Sequence, residues 1–87
     1  MASQTEKEVR QIVDAVRCLL PDNNIRDAIE LLDYREWGEA LVLICTQLYE
    51  FEVAITDAHY ERIQSAAERM ELEESEWEFV RQLVRQK

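Results

Sequence analysis

The chain has 87 residues and a formal net charge of −9, with 47% hydrophobic and 33% charged residues. Two domains are excluded, since each needs roughly 50 residues or more to hold its own core, and the interspersed apolar residues argue against intrinsic disorder. One glycine and one proline cannot supply the many turns of a β-sandwich or small barrel, and the acidic balance argues against nucleic acid or an anionic membrane as a direct partner. The predicted class is all-α: a single domain over residues 1–87, folded as a compact bundle of four to five short helices.

The first predicted helix runs from about Glu6 to Leu20. Val9, Ile12, Val13, Val16, Leu19 and Leu20 recur at helical spacing on one stripe. Thr5 and Glu8 have the spacing of a capping box, and Pro21 ends the helix by pushing the preceding residue out of the α region. Asp22, Asn23 and Asn24 are all N-cap residue types, and any of them can open a second, short helix with Ile25, Ala28, Ile29 and Leu32 on its inner face. This helix is expected to fade near Asp33 or Tyr34.

A third segment begins at about Glu36. Ala40-Leu41-Val42-Leu43-Ile44-Cys45 is an uninterrupted apolar run. Alone it reads equally as a buried strand, but no breaker stands between Glu39 and Glu50, and length decides for a central helix buried on most sides. Gly38, near its start, suits a close crossing by another helix. Phe51 to Ile55 alternates and reads as an extended connection. Thr56 then caps a fourth helix, with Ile55 and Tyr60 at the two positions of a hydrophobic staple. Ile63, Ala67 and Met70 continue its stripe. A last helix opens at Glu73 or at Ser75, with Trp77, Val80, Leu83 and Val84 inward and Arg81, Arg85 and Lys87 near its negative end.

No apolar run approaches the roughly 18 residues of a membrane span, and Met1-Ala2-Ser3-Gln4-Thr5-Glu6 lacks the pattern of a signal peptide. Cys18 and Cys45 lie in apolar stretches and read as small core residues of a reduced, cytoplasmic protein. No catalytic, cofactor or metal constellation is expected. His59 is the sole histidine, whereas zinc needs three or four convergent ligands. Cys45 with His59 forms a nucleophile–base pair only formally, because the most apolar run disfavours a thiolate. A phosphate loop needs more than one glycine.

The distribution of charge carries more information. Residues 1–35 sum to −2, residues 36–80 to −10 and residues 81–87 to +3. Glu36, Glu39, Glu50, Glu52, Asp57 and Glu61 flank the two ends of the central helix and the loop after it, bordered only by Arg35 and Arg62 and interleaved with Tyr34, Trp37, Tyr49, Phe51 and Tyr60. One reading makes these acids a solvated shell and the aromatics core. The other makes them a docking face for a basic protein, with Tyr and Trp as anchors and charge guiding encounter.

Leu31 to Val84 resembles the MafI-type immunity proteins, small bacterial antidotes encoded beside polymorphic secreted toxins. The resemblance lies in Gly38-Glu39-Ala40-Leu41, Leu48-Tyr49-Glu50, Val53-Ala54-Ile55 with Tyr60 and Ile63, and Met70, Leu72 and Trp77-Glu78-Phe79, in that order. Glu74 departs from it, standing where proline is expected. The resemblance implies a non-catalytic protein that binds and neutralises a cognate toxin, commonly a nuclease, in the producing cell's cytoplasm. It transfers no interface residue. The expected partner-binding residues, from the charge reading, are Tyr34, Glu36, Trp37, Glu39, Tyr49, Glu50, Glu52 and Asp57, facing a basic toxin domain. The alternative is a helical adaptor or self-associating module without a toxin partner, for which a homodimer is compatible with the same stripes.

Overall fold

The computed structural model describes residues 3–85. Its four α-helices are α1 (Gln4–Val16), α2 (Asp22–Asp33), α3 (Trp37–Glu50) and α4 (Asp57–Arg69), with 3₁₀ turns at Arg17–Leu19, Glu74–Glu76 and Glu78–Leu83. The all-α prediction therefore holds. Helix α3 is the hub: it packs against α1, α2, α4 and the 78–83 segment, most extensively against α2, while α1 lies along α4. Its inner face, Ala40, Leu41, Ile44, Cys45 and Leu48, is wholly buried. Val9, Val13 and Val16 of α1, Ala28 and Leu32 of α2, and Ile63, Ala66 and Ala67 of α4 complete the core.

The helix starts differ in part from the sequence expectation. Helix α1 begins two residues early, because the Ser3 hydroxyl accepts the Glu6 backbone N–H at 3.0 Å, so Thr5 lies inside the helix. Pro21 occupies the cap of α2, with its carbonyl accepting from Asn24 and Ile25, and none of Asp22, Asn23 or Asn24 caps through its side chain. Thr56 caps α4 as predicted: its hydroxyl accepts from the His59 N–H at 3.1 Å, and His59 Nδ1 accepts from the Thr56 N–H at 3.4 Å. The staple pair, Ile55 and Tyr60, is buried beneath it.

Two expectations need correction. Helix α1 stops at Val16 and is followed by a 3₁₀ turn over Arg17–Leu19. Cys18, which lies opposite the Val9–Val16 stripe at 100° per residue, is exposed, as is Leu19, and Cys45 alone of the two cysteines is in the core. The last element is 3₁₀ rather than α. Its buried residues Trp77, Val80 and Leu83 fall three apart, a spacing that keeps one straight face at three residues per turn. Beyond it the chain is pinned by a single parallel bridge between Ile55 and Val84, in which the Ile55 N–H donates to Leu83 O and the Arg85 N–H donates to Ile55 O, both at 3.0 Å. The predicted extended connection narrows to this point. Lys87 lies outside the described residues.

Helices α2, α3 and α4 end in the same way. Arg35, Glu52 and Glu71 follow their C-caps at φ 64°, 51° and 56°. Each is bracketed by the two backbone bonds of a Schellman motif: Glu36 N–H to Leu31 O at 2.8 Å with Arg35 N–H to Leu32 O; Val53 N–H to Leu48 O with Glu52 N–H to Tyr49 O; Leu72 N–H to Ala67 O with Glu71 N–H to Glu68 O. Glycine normally fills this left-handed site, yet the sole glycine, Gly38, lies inside α3. A β-carbon on Gly38 would lie 3.2 Å from Leu72 Cδ2, so the residue admits the corner after α4 rather than a crossing helix.

A left-handed non-glycine residue costs about 1–2 kcal/mol, and glycine returns part of that gain as unfolded-chain entropy, about 0.4–1 kcal/mol. Glu52→Gly and Glu71→Gly should each raise stability by about 0.5–1 kcal/mol, read as a higher urea midpoint at unchanged m. A lowered midpoint would show that the left-handed turns are unstrained.

Candidate functional interface

Helix α3 uses two faces. At a helical advance of 100° per residue, Val42 and Leu43 point roughly 130° away from the centre of its buried arc, and both are half-buried on the outer side. Beside them the Met70–Leu72 corner and Leu31 of α2 leave a groove of about 670 Å³. The groove follows α3 from Trp37, past Gly38 and Val42, to Thr46. Its apolar residues are half-buried, whereas Arg35, Glu36, Glu39 and Glu76 stand exposed around it. The indole N–H of Trp37 is buried with no acceptor among the described residues.

The eight residues expected to bind a partner do not form one patch. Helix α3 is 14 residues long, so its ends are separated by about 20 Å at 1.5 Å per residue. Glu36, Trp37 and Glu39 meet at the groove, whereas Tyr34, 75% exposed at the end of α2, does not line it. Tyr49, Glu50 and Glu52 lie at the far end of α3. There Tyr49 packs edge-on against Phe79, with ring centroids 5.3 Å apart, and Phe51 is 53% exposed. Asp57 opens α4, where a carboxylate suits the positive end of the helix dipole. Sequence reasoning missed Leu31, Val42, Leu43, Met70 and Leu72 as groove residues. The available signal was the apolar run itself, longer than one buried helix face needs.

The electrostatics follow the sequence segregation. Arg10 bridges Glu6 (2.9 Å) and Asp33 (3.1 Å), Arg17 pairs with Asp14, and Arg69 reaches Glu8 at 3.1 Å. Among the described residues, none of the carboxylates between Glu36 and Glu78 takes part in an ion pair. Crowding shows at the groove: the Glu39 carboxyl is held above its ordinary value, first by a hydrogen bond shared with Glu36, then by the negative charge of Glu36, then by partial desolvation. A cation placed between the two carboxylates would relieve that repulsion.

Burial pushes the Cys45 thiol up to about 12, which leaves it an unreactive core residue near neutrality. The ring of His59 is occupied in the α4 cap. Among the described residues no three His, Cys, Asp or Glu side chains are grouped to hold a metal ion, and no helix is long and apolar enough to cross a membrane.

No family profile matches the chain, and no curated protein or solved structure gives a significant match.

In Glu36→Gln, the Glu39 carboxyl should titrate at lower pH than in the parent chain, measured from its side-chain ¹³C shift. An unchanged midpoint would remove the Glu36–Glu39 coupling. The sign of the linked stability is fixed. Because the folded chain retains this proton longer than the unfolded chain, the associated stabilisation is complete below the ordinary carboxylate value and is lost as pH rises through the raised one.

Proposed function

We propose that the chain is an immunity protein that binds a cognate secreted toxin domain, a basic nuclease in the expected case, and neutralises it by forming a stoichiometric complex. The observation that carries this reading is the acidic segment around α3, whose carboxylates form no ion pair among the described residues. Like charges left unpaired on a small domain weaken its own compact state, and they favour association with a basic surface. The residues of the resemblance, from Gly38-Glu39-Ala40-Leu41 to Trp77-Glu78-Phe79, give the partner its class. The proposed cytoplasmic location follows from that role. Inhibition here requires no reacting group: a bound domain excludes substrate by occupying the active cleft or a neighbouring surface.

Because the acids divide between the two ends of α3, the ends are separable by mutation. A toxin gene immediately upstream would favour this reading; coexpression with that toxin domain should then restore growth, and the two proteins should purify as a one-to-one complex. Glu36→Lys with Glu39→Lys should slow association about tenfold or more at low salt, with a smaller effect at high salt. The triple reversal of Glu50, Glu52 and Asp57 measures the other end. A toxin domain that is neither bound nor neutralised, together with a monomer mass that doubles with concentration, would replace this reading with a self-associating helical module.

A further inference from the structure

We propose that the groove along α3 receives a basic amphipathic helix of the partner, its apolar side chains seated on Val42 and Leu43 and its lysines or arginines set against Glu36, Glu39 and Glu76. This inference rests on the reading of the partner as a basic protein domain and specifies the element that docks.

Three observations select the occupant. The first is shape. From Gly38 to Thr46 the groove follows about 12 Å of α3 at 1.5 Å per residue, close to two turns of a second helix. That length suits anchors at i, i+4 and i+7. The second is the backbone. The groove is bordered by helix α3, by Leu31 of α2 and by the corner after α4, and the α3 main chain is already bonded within its own helix. An extended segment would press unpaired N–H and C=O groups against an apolar surface, whereas a helix brings its own satisfied. The third is charge. Glu36, Glu39 and Glu76 outnumber the single cation at the groove, Arg35, and none of the three forms an ion pair among the described residues. An acidic or neutral helix would leave the Glu36–Glu39 repulsion in place, and a basic one relieves it.

The test uses the full chain, isotope-labelled on nitrogen and methyl groups. The probe is a synthetic helical peptide with leucines at i, i+4 and i+7 flanked by lysines. Two control peptides replace the leucines with serine or the lysines with glutamate. The first peptide should give saturable shifts of the Trp37 indole N–H and of the Val42 and Leu43 methyls, and both controls should bind at least tenfold more weakly. Val42→Trp fills the groove and should weaken the peptide at least tenfold; Thr46→Trp, toward the other end, serves if that variant does not fold. Equal binding by the serine peptide would reduce the interaction to diffuse charge and overturn the proposal. So would shifts centred on Tyr49 and Phe51, an absence of shifts, or a dimer that covers the groove. The same variants separate this inference from the immunity reading. A toxin domain held equally well by the parent chain and Val42→Trp sinks the groove alone. Specific peptide binding without any toxin neutralised leaves the groove and sinks the immunity reading.

Discussion

The structure depends on burying the inner face of α3. Between Glu39 and Glu50 this helix carries no charged side chain, and five of its residues are removed from solvent by every other helix at once. Burying a side chain such as Leu41, Ile44 or Leu48 contributes about 1.5–3 kcal/mol relative to exposure. The surface ion pairs that tie α1 to α2 and α4 are each worth about 0–1 kcal/mol. The arrangement of the bundle is therefore set by apolar contact with α3, and the charges are left free for other work.

That division has a counterpart in the electrostatics. The ion pairs of the described residues gather around α1, through Arg10, Arg17 and, from α4, Arg69. The middle of the chain keeps its negative charge. Helix α3 thus combines the most apolar interior with some of the least compensated surroundings, and its outer face presents Val42 and Leu43 between carboxylates. Leu43 and Trp37 also pack against the core, and together with Val42 they give the outer face a composition closer to a binding surface than to a solvated one.

The sequence made the helices readable because their periodicity is strong and their connections short. Val9, Ile12, Val13 and Val16 mark one face without ambiguity, and Thr56 has a mechanism as well as a residue type in its favour. The misread places have different causes, some local and some distant in sequence. Ser3 outcompetes Thr5 because α1 starts earlier than its apolar stripe. Cys18 is exposed because it lies opposite the Val9–Val16 stripe, although its neighbours in sequence are apolar. Trp77, Val80 and Leu83 suit either helix type, and pinning at Ile55 accompanies the tighter one. At the groove, Glu36, Trp37 and Glu39 were legible from charge and aromaticity. Leu31, Met70 and Leu72 were not, since a half-buried apolar residue at a groove and a buried one in a core have the same periodicity.

The three left-handed helix ends bear on the unfolded chain. A glycine after a helix halts it locally, whatever surrounds it. Arg35, Glu52 and Glu71 carry no such instruction, and Tyr34, Arg35 and Glu36 include no residue that breaks a helix. The boundary between α2 and α3 is therefore written in the folded state, by the Schellman bonds and the packing around them. Before those contacts form, transient helix is free to run from α2 straight into α3, a continuous rod that must bend at Arg35 for the two to meet. Folding this bundle accordingly includes choosing where helices stop, and the choice is made by tertiary structure.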